Sequence, residues 1–153
     1  MTDMSTKTIN ISKHNVKTEF EALTWKYANS IDAENSSKPI HNMKPDRVDD
    51  AVDAFVVDAA FDRRMNEVSG FMSDFSATAS ESNGDVVLTF TVTSRWSGSL
   101  PALQSLVKTY VLDGMMAEWL NLTAPGEAAI YTTKLPQDIQ DIKAELYKKG
   151  ART

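Results

Sequence analysis

The sequence predicts an α+β domain: a mainly helical body of about four helices with an inserted antiparallel β-hairpin and an extended amino-terminal arm. Three observations predict it. Apolar residues recur at steps of three and four over much of the chain. The pair Asn83-Gly84 is flanked by alternating apolar and polar residues. Thr8-Ile9-Asn10-Ile11 alternates by itself ahead of the first helical stretch. At 153 residues the chain suits a single domain spanning 1–153, because a core of this size offsets chain entropy without metals or cross-links.

Segment 1–11 is the expected arm, and Ser12 offers a hydroxyl to cap the helix behind it. From Val16 the residues Phe20, Leu23, Tyr27 and Ile31 line one face of a helix ending near Ser30. Residues 32–45 are polar and carry Pro39 and Pro45, which remove backbone donors, so a surface linker is expected there. Asp46, Asp49 and Asp50 then crowd a helix start, where carboxylates meet unpaired backbone N–H groups. Val48, Val52, Phe55, Ala59 and Met65 form the stripe of that second helix, widened by Val56, Ala60 and Val68, and it ends about Gly70.

The hairpin occupies 75–96. Phe75 to Ala79 alternates, Asn83-Gly84 tolerates the positive φ of a type I′ turn, and Val86, Leu88, Phe90 and Val92 share one face. Thr89, Thr91, Thr93 and Arg95 fall on the opposite face, which is expected to be wet or partner-facing. Two strands are marginal alone, so the hairpin needs a helix beneath it or further strands, with Thr8 to Ile11 or a neighbouring subunit as the source.

Segment 99–149 holds the carboxyl-terminal helices. Pro101 suits a first helical turn, and Leu103, Leu106, Val107, Tyr110, Gly114 and Ala117 recur at helical spacing. Gly114 weakens a helix interior unless another element crosses closely there. Thr123 is placed to cap a further helix through Ile130 and Tyr131, which Pro136 kinks or divides. Ile139, Ile142, Leu146 and Tyr147 resume the apolar face, and Gly150 suits the position just past a helix end.

The net charge of -5 argues against phosphate-driven binding, so no sequence-specific nucleic acid partner is expected and only incidental DNA contact is left open. The absence of cysteine excludes disulfide and thiolate chemistry. Met1 to Asn10 lacks the apolar stretch of a secretory leader, and no run is long enough to span a membrane. His14 and His41 have no partner at metal-ligand spacing and read as structural or solvated. Asp46, Asp49, Asp50, Asp53, Asp58 and Asp62 read as a solvated helix face, since a hard-cation loop would add carbonyl ligands and a tight glycine turn. Met115, Met116 and Trp119 read as core. No phosphate-binding loop or nucleophile elbow is present, so no catalytic, cofactor or metal residues are assigned; a weaker enzyme reading would rest on His41 or the helix aspartates.

Thr8-Ile9-Asn10-Ile11 before a helix, an Asn-Gly hairpin between helices, Tyr110-Val111-Leu112 through Trp119-Leu120, and Glu127 to Tyr131 together resemble small virion proteins of tailed bacteriophages and prophages. The resemblance is strongest from Ser99 to Tyr147 and absent from Asp32 to Pro45. Within that group the pattern is similar to head–tail connector, or neck adaptor, subunits. The resemblance implies a ring of identical subunits contacting portal-side or tail-side proteins, no cofactor, no catalytic residues, and assembly in the bacterial host cytoplasm into the virion. A tail terminator or other tail-associated protein is the nearest alternative. A small soluble binding or regulatory domain, with a groove lined by Tyr110, Met115 and Trp119, is another. On the assembly reading the expected partner contacts are Ile9 and Ile11 of the arm, Thr89, Thr91, Thr93 and Arg95 of the hairpin, and the basic carboxyl end at Lys148, Lys149 and Arg152.

Overall fold

Alternation in the amino-terminal segment resolves into strand β1, Met4–Ser12, in a computed structural model that describes residues 4–34 and 51–150. β1 pairs antiparallel with β3, Asp85–Thr93, in a register running from Met4 opposite Thr93 to Ser12 opposite Asp85. β2, Thr78–Ser82, pairs with the other side of β3, so the sheet order is β1-β3-β2. Between β2 and β3, Asn83 and Gly84 adopt φ of 54° and 83°, the left-handed pair that a type I′ turn requires. The arm is extended as expected, and its partner is the chain's own hairpin.

The inner face of this sheet carries Ile9, Ile11, Val86, Leu88, Phe90 and Val92, all buried. Helices of the same chain roof it, so of the covers expected for the hairpin it is the helix beneath and the strand from Thr8 to Ile11 that are found, and no neighbouring subunit is needed for its apolar side. The reason is non-local: β1 supplies the third strand and the central helix lies against it, leaving no uncovered apolar face on the ribbon. The fold is therefore a mainly helical α+β arrangement with a sheet wet on one face.

α1, Lys13–Glu34, starts where Ser12 Oγ accepts the Asn15 amide at 3.2 Å. It runs past Ser30, so 32–34 are helical; the remainder of the expected linker, 35–45, and the Asp46 to Asp50 helix start lie outside the described residues. α2, Ala51–Phe71, buries Val57, Ala60, Phe61, Met65 and Val68. Ala60, Met65 and Val68 were expected, Ala59 is only half-buried, and Phe61 is a core residue that the stripe omitted.

α3, Leu100–Thr123, is capped by Ser99 Oγ, which accepts the Ala102 amide at 3.3 Å, and it carries a proline in its first turn. It is buried around much of its circumference because β1, α1 and α2 all pack on it. The close crossing expected at Gly114 is made by Arg64: a Cβ at position 114 would stand 2.5 Å from Arg64 Cδ and Nε. Arg64 is held there by Glu67 at 3.0 Å and Glu118 at 3.8 Å. Only the far end of the flexible Arg64 side chain must give way, so Gly114→Ala is expected to be near neutral in urea denaturation, alanine's helix gain of about 1 kcal/mol offsetting the displaced Arg64 contacts. In an Arg64→Ala background the same change becomes stabilising.

Thr123 ends α3 instead of capping the next helix, its hydroxyl donating to the Trp119 carbonyl at 2.9 Å. A 3-10 turn at Pro125–Glu127 and the single-turn α4, Ala129–Thr132, lead to α5, Leu135–Leu146. Pro136 thus divides the segment, sitting in the first turn of α5 where its missing N–H costs nothing. Ile142 and Leu146 are buried against the rest of the core while Tyr147 is exposed. Gly150 is no helix terminus either: its amide donates to the Arg95 carbonyl at 2.7 Å, and Lys149 bridges Trp96, pinning the carboxyl end to the end of the hairpin.

Candidate assembly surface

The backbone of β1 determines which groups its outer edge offers. Asn10 N donates to Gln104 Oε1 at 3.0 Å, away from β3. In an antiparallel ladder N–H and C=O of one residue point the same way, so Met4, Thr6 and Thr8 also turn theirs outward, while Ser5, Lys7, Ile9 and Ile11 turn theirs to β3. Gln104 closes this edge at Asn10. Among the described residues no protein group takes up the outward N–H and C=O of Met4, Thr6 or Thr8, and all three side chains are exposed. Beside them the outer sheet face presents Thr89, Thr91 and Thr93 of β3, half-buried by their cross-strand neighbours.

A second feature lies at the sheet's end. β2 is five residues long against the nine of β3, because Ser76 adopts a left-handed conformation (φ 55°) and leaves the ladder where a partner for Thr91 would stand. The result is a cleft of about 200 Å³ lined by Met4, Phe75, Thr91, Thr93, Trp96 and Lys149, among others. Its wall is stiffened by edge-on aromatic pairs, Phe75 with Tyr147 at 5.0 Å and Phe90 with Trp96 at 6.3 Å. Glu145, 6% exposed, is the hub behind it. Its carboxylate accepts Ser99 N at 3.1 Å and Lys148 Nζ at 2.8 Å, while its carbonyl accepts Trp96 Nε1 at 3.0 Å. The Lys148 hydrogen bond, with the Ser99 amide adding to it, holds Glu145 below its usual range against the opposing effect of burial.

Two turns earlier on the same face of α5, Asp138 faces Asp113 of α3, which is only 8% exposed. Burial first, then the hydrogen bond and charge of Asp113, then Asp141, push Asp138 up to about 7, against the attraction of Lys134. The sequestered Asp138 Oδ2 finds no other donor, and a proton kept on Asp138 lets that carboxyl donate to Asp113.

The residues singled out from sequence separate into groups. Ile9 and Ile11, 2% and 1% exposed, are core and offer no partner surface, because β1 turns them under the sheet. Thr91, Thr93 and Lys149 come together along the cleft, although Thr91 Oγ1 is engaged with the Phe75 carbonyl at 3.2 Å. Arg95 is exposed and donates to the Gly150 carbonyl at 3.1 Å; Lys148 is exposed but its charge is met by Glu145. Thr89 lies mid-sheet between Thr8 and Thr78, and Arg152 lies outside the described residues. Tyr110, Met115 and Trp119 are all buried in the core. His14 is exposed and His41 lies outside the described residues; Asp58 and Asp62 pair with Lys17 and Lys13 of α1 at 2.8 and 3.5 Å.

The open run Met4, Thr6, Thr8 was missed because alternation shows which side chains share a face, not which edge of the strand is unpaired. The buried Asp113 did leave a signal, since it falls three residues after Tyr110 and four before Ala117 on the buried side of α3. Among the described residues no helix is long and apolar enough to cross a membrane. No protein-family model matches the chain, and no curated protein and no solved structure matches it.

Proposed function

We propose that this chain is a non-catalytic structural subunit that works by associating with other protein chains, and that its place is the head–tail connector of a tailed-bacteriophage particle assembled in the host cytoplasm. The observation that carries the association reading is the unpaired outer edge of β1 from Met4 to Thr8, since free strand edges are templates for pairing with another chain. The threonine face beside it and the cleft lined in part by Lys149 offer further polar contact surface. The connector assignment rests on the order of elements, a strand and helix, then a hairpin between helices, then a proline-divided carboxyl-terminal segment.

Mass spectrometry of purified particles tests the reading. The expected result is several copies of the chain per particle, and loss of the gene is expected to yield filled heads and free tails. Intact particles that lack the chain would remove the reading. Copies confined to the tail tip that meets the head, with heads sealed without them, would move the chain from connector to tail terminator.

A further inference from the structure

From the free edge of β1 we infer that two copies of this chain join through it, β1 against β1 across a two-fold axis centred on Thr6, extending the sheet to the order β2-β3-β1-β1-β3-β2. The inference rests on the proposal that the chain works by association, and it names the partner and the seam. The open run is self-complementary. Antiparallel pairing about Thr6 sets Thr6 against Thr6 and Met4 against Thr8, so each outward N–H meets an outward C=O of the other copy. The side chains agree with this register. Thr6 would form a threonine–threonine cross-strand pair on the exposed face, a favourable combination. Lys7, the one charged residue of β1, lies on the inner face, where a charge can deter edge pairing; this register sets it opposite Ser5 of the second copy and not opposite its own counterpart. The two chains carry -5 each, yet no like charges meet along the seam. The other sheet edge is a poorer template: β2 is five residues long and turns only Ala79 and Glu81 outward, the latter acidic.

Two substitutions test the seam. Proline at position 6 removes an N–H that β3 does not use, so Thr6→Pro leaves the β1-β3 ladder intact while blocking the seam at its centre. Light scattering on the purified chain is expected to show a dimer for the wild type and a monomer for Thr6→Pro, with the dimer dissociation constant raised at least about a hundredfold. Circular dichroism and the melting temperature report whether the fold survives. Because the chain has no cysteine, Thr6→Cys supplies a single thiol per copy, on the axis and at a spacing that a disulfide spans; Thr78→Cys, exposed on the other edge, is the control.

A covalent dimer from Thr6→Cys under mild oxidation, and none from Thr78→Cys, supports the seam even if the proline variant fails to fold. A monomeric wild type, an oligomer that persists in a folded Thr6→Pro chain, or a Thr6→Cys chain that stays unlinked each overturns it. Those outcomes leave the particle-subunit proposal standing if the chain is still found in particles. A dimer joined through Thr6 in a chain absent from particles keeps the seam and removes that proposal.

Discussion

Phe61→Ala is expected to lower the free energy of unfolding by about 4 kcal/mol, measured by urea denaturation with an unchanged slope. The side chain is fully buried on α2 and belongs to the core shared with the sheet. Part of the loss is transfer of the ring out of water, and the rest is the cavity it leaves. That cavity has little means of collapsing. Lys13–Asp62 and Lys17–Asp58 tie α2 to α1, and Arg63–Glu118 at 3.0 Å with Arg64–Glu118 at 3.8 Å tie it to α3. The Lys13 ammonium, 5.4 Å from the ring centroid, would also lose its aromatic partner. A loss below about 1 kcal/mol would mean that α2 closes over the gap, which these ties oppose.

Asp138→Asn is expected to stabilise the protein by about 2 kcal/mol at pH 8 and by almost nothing at pH 4, once the partial exposure of Asp138 is discounted. Asp138 holds its proton more tightly folded than unfolded, with the value rising from 3.8 to about 7. Folding therefore takes up a proton between those values. The resulting stability is fully present below pH 3.8 and is lost as pH rises through about 7. Asparagine keeps a donor for Asp113 without the second charge, so the variant loses this slope. The groups facing Asp138 are Asp113 on α3 and Asp141 and Lys134 beside it on its own segment, and the last opposes the rise. Chemical denaturation across pH 4 to 8 measures the difference between the two curves. Parallel curves would show that Asp138 holds its proton no more tightly folded than unfolded.

Features decided within a few residues were legible in the sequence. Asn83-Gly84 turns as its tolerance of positive φ requires, Ser12 caps α1, and Pro136 divides the carboxyl-terminal segment. Features that depend on which element lies opposite were not. The stripe of α2 is turned so that Phe61 points inward, because the sheet and α3 decide which face is covered, and periodicity alone leaves the phase open. Ile9 and Ile11 show a related limit: their segment was one of two candidate sources of a further strand for the hairpin, and alternation alone did not decide between it and a neighbouring subunit. The bridge of Trp96 to Lys149, the Glu145 hub and the Asp113–Asp138 contact join residues far apart in sequence, beyond the reach of spacing rules. Of the candidate surface, the threonines of β3 were legible and the free edge of β1 was not.

The pairing of β1 with β3 sets a timetable for synthesis. Its partner is translated roughly eighty residues later, several seconds at ordinary ribosome speed. Throughout that interval the nascent first strand has both margins bare, and Ile9 and Ile11 have no sheet to enter. Lys7, the one charge on that strand, stands where a gatekeeper residue is placed, since a charge beside an apolar strand disfavours stacking between unfolded chains.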